Sequence, residues 1–282
     1  MERKYSKSVI TVNPDSSVYE ALEKMQSNSI KRVVICENTR PLGIITERDI
    51  NKFLESDKTA RALDEILVKH LMEKNVVLIT DKLEDDFYQC ASKMDNFKIG
   101  SIIITDKNGN LSGIISRTDL VKSYANVFGG KYLVKDFMTK QLVTCRKTDR
   151  ISFALDLMNQ NKVSRLVVTD ENGSPIGLVS TNTLLTHSDY FSKGTTRSRD
   201  YLLPLKDKVV VNDLLEENLV TINEDEDLAE AARKMIKSKI SGIPVIDSNQ
   251  KLVGVVSKTD VVKAFSDVVP HEKLKQKYEE IY

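Results

Sequence analysis

The chain has 282 residues, 40% hydrophobic and 29% charged, which suits a folded protein with substantial cores and argues against long disordered stretches. Its 42 Lys and Arg balance 41 Asp and Glu for a formal net charge of +1, so no global basic field supports nucleic-acid binding. No apolar run approaches the roughly 18 residues needed to cross a bilayer, and Met1 to Lys4 lead into a strand pattern rather than a secretory core, so a cytoplasmic protein is expected.

Taken in chain order, the sequence repeats itself. The first unit, 1–60, has a helical Met25 placed 18 residues before Gly43 in the strand PLGIIT. Lys31 and Arg32 stand where its middle strand begins, and Thr46, Arg48 and Asp49 follow the glycine strand. The second unit, 66–125, has Met94 placed 19 residues before Gly113 in LSGIIS. Ile99, Gly100 and Ile102 surround its strand start, and Ser116, Arg117 and Asp119 follow. Residues 126–133, with Gly129 and Gly130, read as a linker. In the third unit, 134–190, Met158 precedes Gly177 of PIGLVS by 19 residues; Arg165 opens a strand, Ser180 ends the next, and Thr183 replaces the aspartate. A polar loop, 191–208, leads to the fourth unit, 209–268.

The fourth unit shows the periods most clearly. Leu219 to Ile222 form a short strand, and Leu228, Ala231, Ala232, Met235 and Ile236 recur at helical spacing. Ile243–Ile246 and Leu252–Val256 alternate as strands around a polar turn, and Ser257 opens a second helix carrying Lys258 and Asp260. Residues 269–282 read as a charged helical tail. The recurring glycines, Gly43, Gly113, Gly177 and Gly254, are 70, 64 and 77 residues apart, a repeat architecture. The expected fold is α/β of the α+β type, with four β-α-β-β-α repeats forming small sheets flanked by helices. One unit of about 60 residues buries too little surface alone. Repeats one and two, then three and four, are therefore expected to pair through sheet faces and helix stripes.

The start of the second helix carries the chemistry. Its unpaired N–H groups and partial positive charge suit a phosphate, and Thr46, Ser116, Ser180 and Ser257 stand there. Asp49, Asp119 and Asp260 three residues on can accept from both hydroxyls of a ribose, while Arg48, Arg117 and Lys258 can neutralise phosphate. The same spacing also makes a capping box, and both readings stay open. Gly242 permits close backbone approach, and Ile240, Ile243 and Pro244 offer an apolar slot for a purine, or ordinary core packing. Arg32, Arg165 and Ile99 fall near the same cleft mouths.

No enzyme constellation can be assembled. His70, His187 and His271 lack metal-ligand spacing, and Cys36, Cys90 and Cys145 are far apart and read as buried thiols. No metal or catalytic cofactor is expected.

The segments SGIPVID from Ser241 and LVGVVSKTDVV from Leu252 resemble the best-preserved part of the CBS domain, and the resemblance spans nearly the whole chain. It implies two Bateman modules whose clefts bind AMP, ADP, ATP or S-adenosylmethionine, with the hydroxyl on phosphate and the aspartate on ribose. A non-enzymatic regulatory sensor of an unidentified protein is implied, either as an intrachain disk of two modules or as a homodimer. The alternatives are an adaptor with vestigial clefts and nucleic-acid binding through Lys193, Arg197 and Arg199. Thr183 leaves the third cleft without its ribose acceptor.

Overall fold

The computed structural model describes residues 5–56, 61–80, 87–180, 209–215 and 219–279. Thr183, the polar loop 191–208 and the basic residues 193, 197 and 199 lie outside them. The fold is mixed α/β, with four three-stranded sheets, one per repeat.

Repeat one runs β1 (Thr11–Val12), α1 (Val18–Ser27), β2 (Arg32–Glu37), β3 (Arg40–Thr46) and α2 (Glu47–Ser56). Repeat two runs β4 (Leu78–Thr80), α3 (Phe87–Asn96), β5 (Ser101–Thr105), β6 (Leu111–Ser116) and α4 (Arg117–Val127). After a short α5 (Val134–Phe137), repeat three has β7 (Thr144–Arg146), α6 (Ile151–Gln160), β8 (Arg165–Thr169) and β9 (Pro175–Ser180). Repeat four has β10 (Ile222–Asn223), α7 (Leu228–Lys237), β11 (Gly242–Ile246), β12 (Leu252–Ser257) and α8 (Lys258–Glu279). In every repeat the first strand pairs parallel with the second, and the second pairs antiparallel with the third.

The repeated methionine has a local cause. In each repeat the first helix ends in a left-handed residue, Ser29, Lys98, Lys162 or Lys239, at φ between 52° and 56°. The next residue, Ile30, Ile99, Val163 or Ile240, then donates its N–H to the carbonyl of Met25, Met94, Met158 or Met235 at 2.9 to 3.1 Å. This is a Schellman ending, so methionine and the apolar residue five places on are tied together by a local hydrogen bond.

The repeated glycine has a long-range cause. The segment that precedes one repeat crosses to its partner and bridges the glycine strand there: Ser6 with Ile114, Glu73 with Ile44 and Thr139 with Val255. A Cβ on Gly43 would lie 2.8 Å from the Glu73 carbonyl oxygen, and one on Gly113 would lie 2.9 Å from that of Ser6. At Gly254 the obstruction is the Met138 sulfur, at 2.6 Å. At Gly43 and Gly113 only glycine admits backbone that close, while at Gly254 it leaves room for the Met138 side chain.

Strand alternation then divides the cores. Val33 and Ile35 of β2 face the helices of repeat one, while Val34 and Cys36 pack with Ile103 of β5 across the sheet faces of repeats one and two. The expected pairing of helix stripes is corrected. The helices of repeat two, α3 and α4, pack against α7 and α8 of repeat four, and one core cluster spans both repeats. Tyr88 and Phe265 meet edge to face at 5.2 Å, beside Tyr124 and Phe128. Repeats one and two thus meet through their sheets, and repeats two and four through their helices.

The stretch expected to be a linker lies on repeat four. The Gly130 N–H donates to Asp227 Oδ2 at 2.5 Å, the Leu228 N–H to the Tyr132 carbonyl, and the Val134 N–H to the Glu226 carbonyl. Val134 and Met138 belong to the shared core. The last helix continues without a break to Glu279.

Candidate functional site

Among the described residues, the second helices of repeats one, two and four begin with the same polar box. Thr46 donates both its N–H and its hydroxyl to Asp49 Oδ2, at 2.9 and 2.6 Å. Ser116 does so to Asp119 Oδ2 at 2.8 and 2.6 Å, and Ser257 to Asp260 Oδ2 at 2.7 and 2.7 Å. The capping reading is therefore satisfied at all three helix starts. It engages one carboxylate oxygen only. In all three boxes both bonds fall on Oδ2, so a cap and a ribose acceptor are compatible in the same aspartate. The hydroxyls, by contrast, spend their proton on the carboxylate, and donation to a phosphate would require that bond to turn. Burial pushes the Asp260 carboxyl up, partly offset by the Ser257 hydrogen bonds.

Cations from the neighbouring repeat close in on these boxes. Arg32 opens β2 opposite Thr46 and lies over Gly100, where an added Cβ would meet its Nη1 at 2.7 Å. Burial, then the charge of Arg117, lowers its guanidinium to about 10, against Glu47, Asp49 and Asp119. Arg165 holds the matching place in the other module. It pairs with Ser180, donates to Ser241 Oγ at 2.6 Å, and occupies the space over Gly242. The close approach that Gly242 permits is thus made by a guanidinium.

Other cations cross between modules. Lys258 Nζ, in repeat four, donates to Thr118 Oγ1 of repeat two at 3.1 Å. Arg48, in repeat one, donates to the Lys162 carbonyl of repeat three at 3.2 Å. Arg117 donates to the Ile99 carbonyl at 3.0 Å and feels both Arg48 and Asp260. An open depression of about 310 Å³ adjoins Asp119 and Lys122, close to the lower bound for a small-molecule site.

The apolar candidates separate. Ile243 is fully buried in the helix-side core, on the opposite face of β11 from Gly242 and Pro244, so it is corrected from a slot residue to a core residue. Ile99 and Ile240 are half-buried at the Schellman endings, beside the boxes rather than within the sheet. Sequence reasoning missed Thr118 and Lys122. Their role depends on which repeats meet, and spacing within a repeat holds no signal for that. Among the described residues, no group of His, Cys, Asp and Glu is placed to hold a metal ion, and no helix is long and apolar enough to cross a membrane.

Comparison with known proteins fits this architecture. The family profile of the CBS domain matches residues 3–56, 68–126, 134–189 and 211–267. The uncharacterized protein MJ1225 of Methanocaldococcus jannaschii is 22% identical over 277 residues, covering 93% of this chain and 96% of its own. Its crystal structure, proposed there as an archaeal homologue of g-AMPK, superposes with a TM-score of 0.78 over 93% of this chain and 98% of that one. MJ1404 of the same organism is 26% identical over 273 residues, 93% of this chain, which spans 61% of that protein. An uncharacterized protein structure from Pyrococcus horikoshii, 17% identical, covers 93% of this chain and 97% of its own with a TM-score of 0.65. These structural likenesses establish the fold.

Proposed function

The chain belongs to the CBS-domain family, and from that premise we propose that it is a non-catalytic sensor of adenosine-containing ligands, AMP, ADP, ATP or S-adenosylmethionine, held between paired repeats. The observation that carries this is the half-committed carboxylate. Asp49, Asp119 and Asp260 each give one oxygen to a helix cap and keep the other for a ribose, and Asp119 and Asp260 have a cation of another repeat nearby. Arg32 and Arg165 tie each cleft to both of its repeats, so ligand charge acts on the packing between them. The altered surface is then read by an unidentified protein. The three buried free cysteines fit a reducing compartment such as the cytoplasm.

A second reading has one observation in its favour. The core shared by repeats two and four fuses the modules into a fixed unit, which suits an adaptor whose clefts are vestigial. Calorimetric titration separates the two. AMP, ADP, ATP and S-adenosylmethionine are titrated into the wild type, Asp119→Ala and Asp260→Ala. The sensor reading expects at least one ligand to bind and each substitution to weaken it by about tenfold or more, the loss of a charged hydrogen bond. No binding at millimolar ligand supports the adaptor. Binding untouched by either substitution removes the carboxylates from the site.

A further inference from the structure

Within each module one repeat brings an arginine and the other brings a hollow for it. Arg32, Ser101, Arg165 and Gly242 hold the same place, the first residue of the middle strand, where each pairs with the last residue of the glycine strand, Thr46, Ser116, Ser180 or Ser257. The odd repeats put arginine there, and the even repeats put serine or glycine. In the even repeats the residue before it completes a small pair, Gly100 with Ser101 and Ser241 with Gly242. Arg32 reaches over Gly100, where the three atoms nearest to an added Cβ all belong to its guanidinium, from 2.7 to 3.3 Å. Arg165 reaches over Gly242 and donates to Ser241 Oγ at 2.6 Å.

Neither glycine is needed for its own backbone. Both have ordinary φ, since the left-handed glycines among the described residues are Gly109, Gly130 and Gly173. A side chain at Gly100 would meet the arginine alone, and one at Gly242 would meet the arginine first, with the Val256 carbonyl oxygen 3.3 Å off. Each arginine also carries its charge into the contact. Two repeats of the odd kind set face to face would bring guanidinium against guanidinium, with no hollow to receive either. Two of the even kind would meet hollow to hollow and leave both unfilled, without the contacts that the arginine supplies.

We infer that this fit of arginine into hollow decides which repeats form a module, so that an odd repeat accepts only an even one. The surface at the start of β5 or β11 is a socket, and the partner it fits is a repeat that begins its middle strand with arginine. A second copy of the chain can enter a module only by offering a repeat of the opposite kind, and like repeats of two copies do not join through their sheets. No ligand takes part in the fit, so it is measured on the chain alone.

The test builds each contact of like with like inside the full chain. Arg165→Ser gives the second module two hollows, and Gly242→Arg gives it two arginines. The double variant Arg165→Ser/Gly242→Arg exchanges the roles, with Ser164 standing in repeat three where Ser241 receives the guanidinium in repeat four. Urea midpoints are compared across these three variants and the wild type. Each single change is expected to lower the midpoint, and the exchange to recover at least half of the two losses together. A second set in the first module, Gly100→Val with and without Arg32→Ser, decides the matter if Gly242→Arg does not fold. There Gly100→Val should lower the midpoint of the wild type, and by less than half as much beside Arg32→Ser. Recovery in either module upholds the inference. Losses that simply add in both modules, as they do for sites that do not touch, overturn it.

Discussion

Gly113 and Asp119 lie six residues apart and show two ways in which one side chain can be fixed by distant contacts. At Gly113 the ring of Tyr5 and the Ser6 carbonyl pass where a Cβ would stand, so Gly113→Val forces apart two segments about a hundred residues apart in sequence. We expect a loss of about 1–3 kcal/mol, the usual cost of overpacking, read as a lower urea midpoint. An unchanged midpoint would mean that the crossing segment is not seated there. Asp119 carries two duties that a sequence cannot separate, because a cap and a ligand acceptor ask for the same residue at the same spacing. Coordinates distinguish the two oxygens, and the half of the carboxylate outside the cap is what keeps the functional reading alive.

At the scale of the element, the order of strands and helices was legible, because periodicity, the methionine and the glycine are all local or nearly local signals. The helix endings explain much of that legibility. Four left-handed residues close four first helices, and none is glycine. Lys239 is exposed at φ 55°, where a side chain carries strain that glycine avoids. Lys239→Gly is therefore expected to stabilise the protein by about 0.5–1 kcal/mol after the extra entropy of the unfolded glycine is counted. Thermal unfolding checks this, and a lowered Tm would show that the lysine side chain contributes more than its backbone strain costs. The role given to Ile243 failed at this same scale. An apolar residue beside Gly242 and Pro244 looked like part of a slot, but strand alternation turns it to the other face.

Across the whole molecule, the sequence was least informative, since nothing in one repeat says which other repeat it touches. The exchange of leading segments, the fused core of repeats two and four, and the attachment of residues 130–134 to α7 are all contacts between residues distant in the chain. The convergence of Lys258, Lys31, Arg165 and Arg117 depends on those contacts, so the site's charge emerges only with the assembled fold. Its candidate acceptors were readable, whereas the cations around them were readable only as members of separate repeats. Under the proposed function a ligand acts at the helix starts that carry the polar boxes, not at the outer edges of the sheets. Hydrogen exchange with and without AMP tests that most directly. The account predicts slower exchange at the amides of Ser116–Asp119 and Ser257–Asp260 on binding, with smaller effects in α1. Protection confined to segments away from α2, α4 and α8, or AMP binding with no protection at these amides, would contradict it.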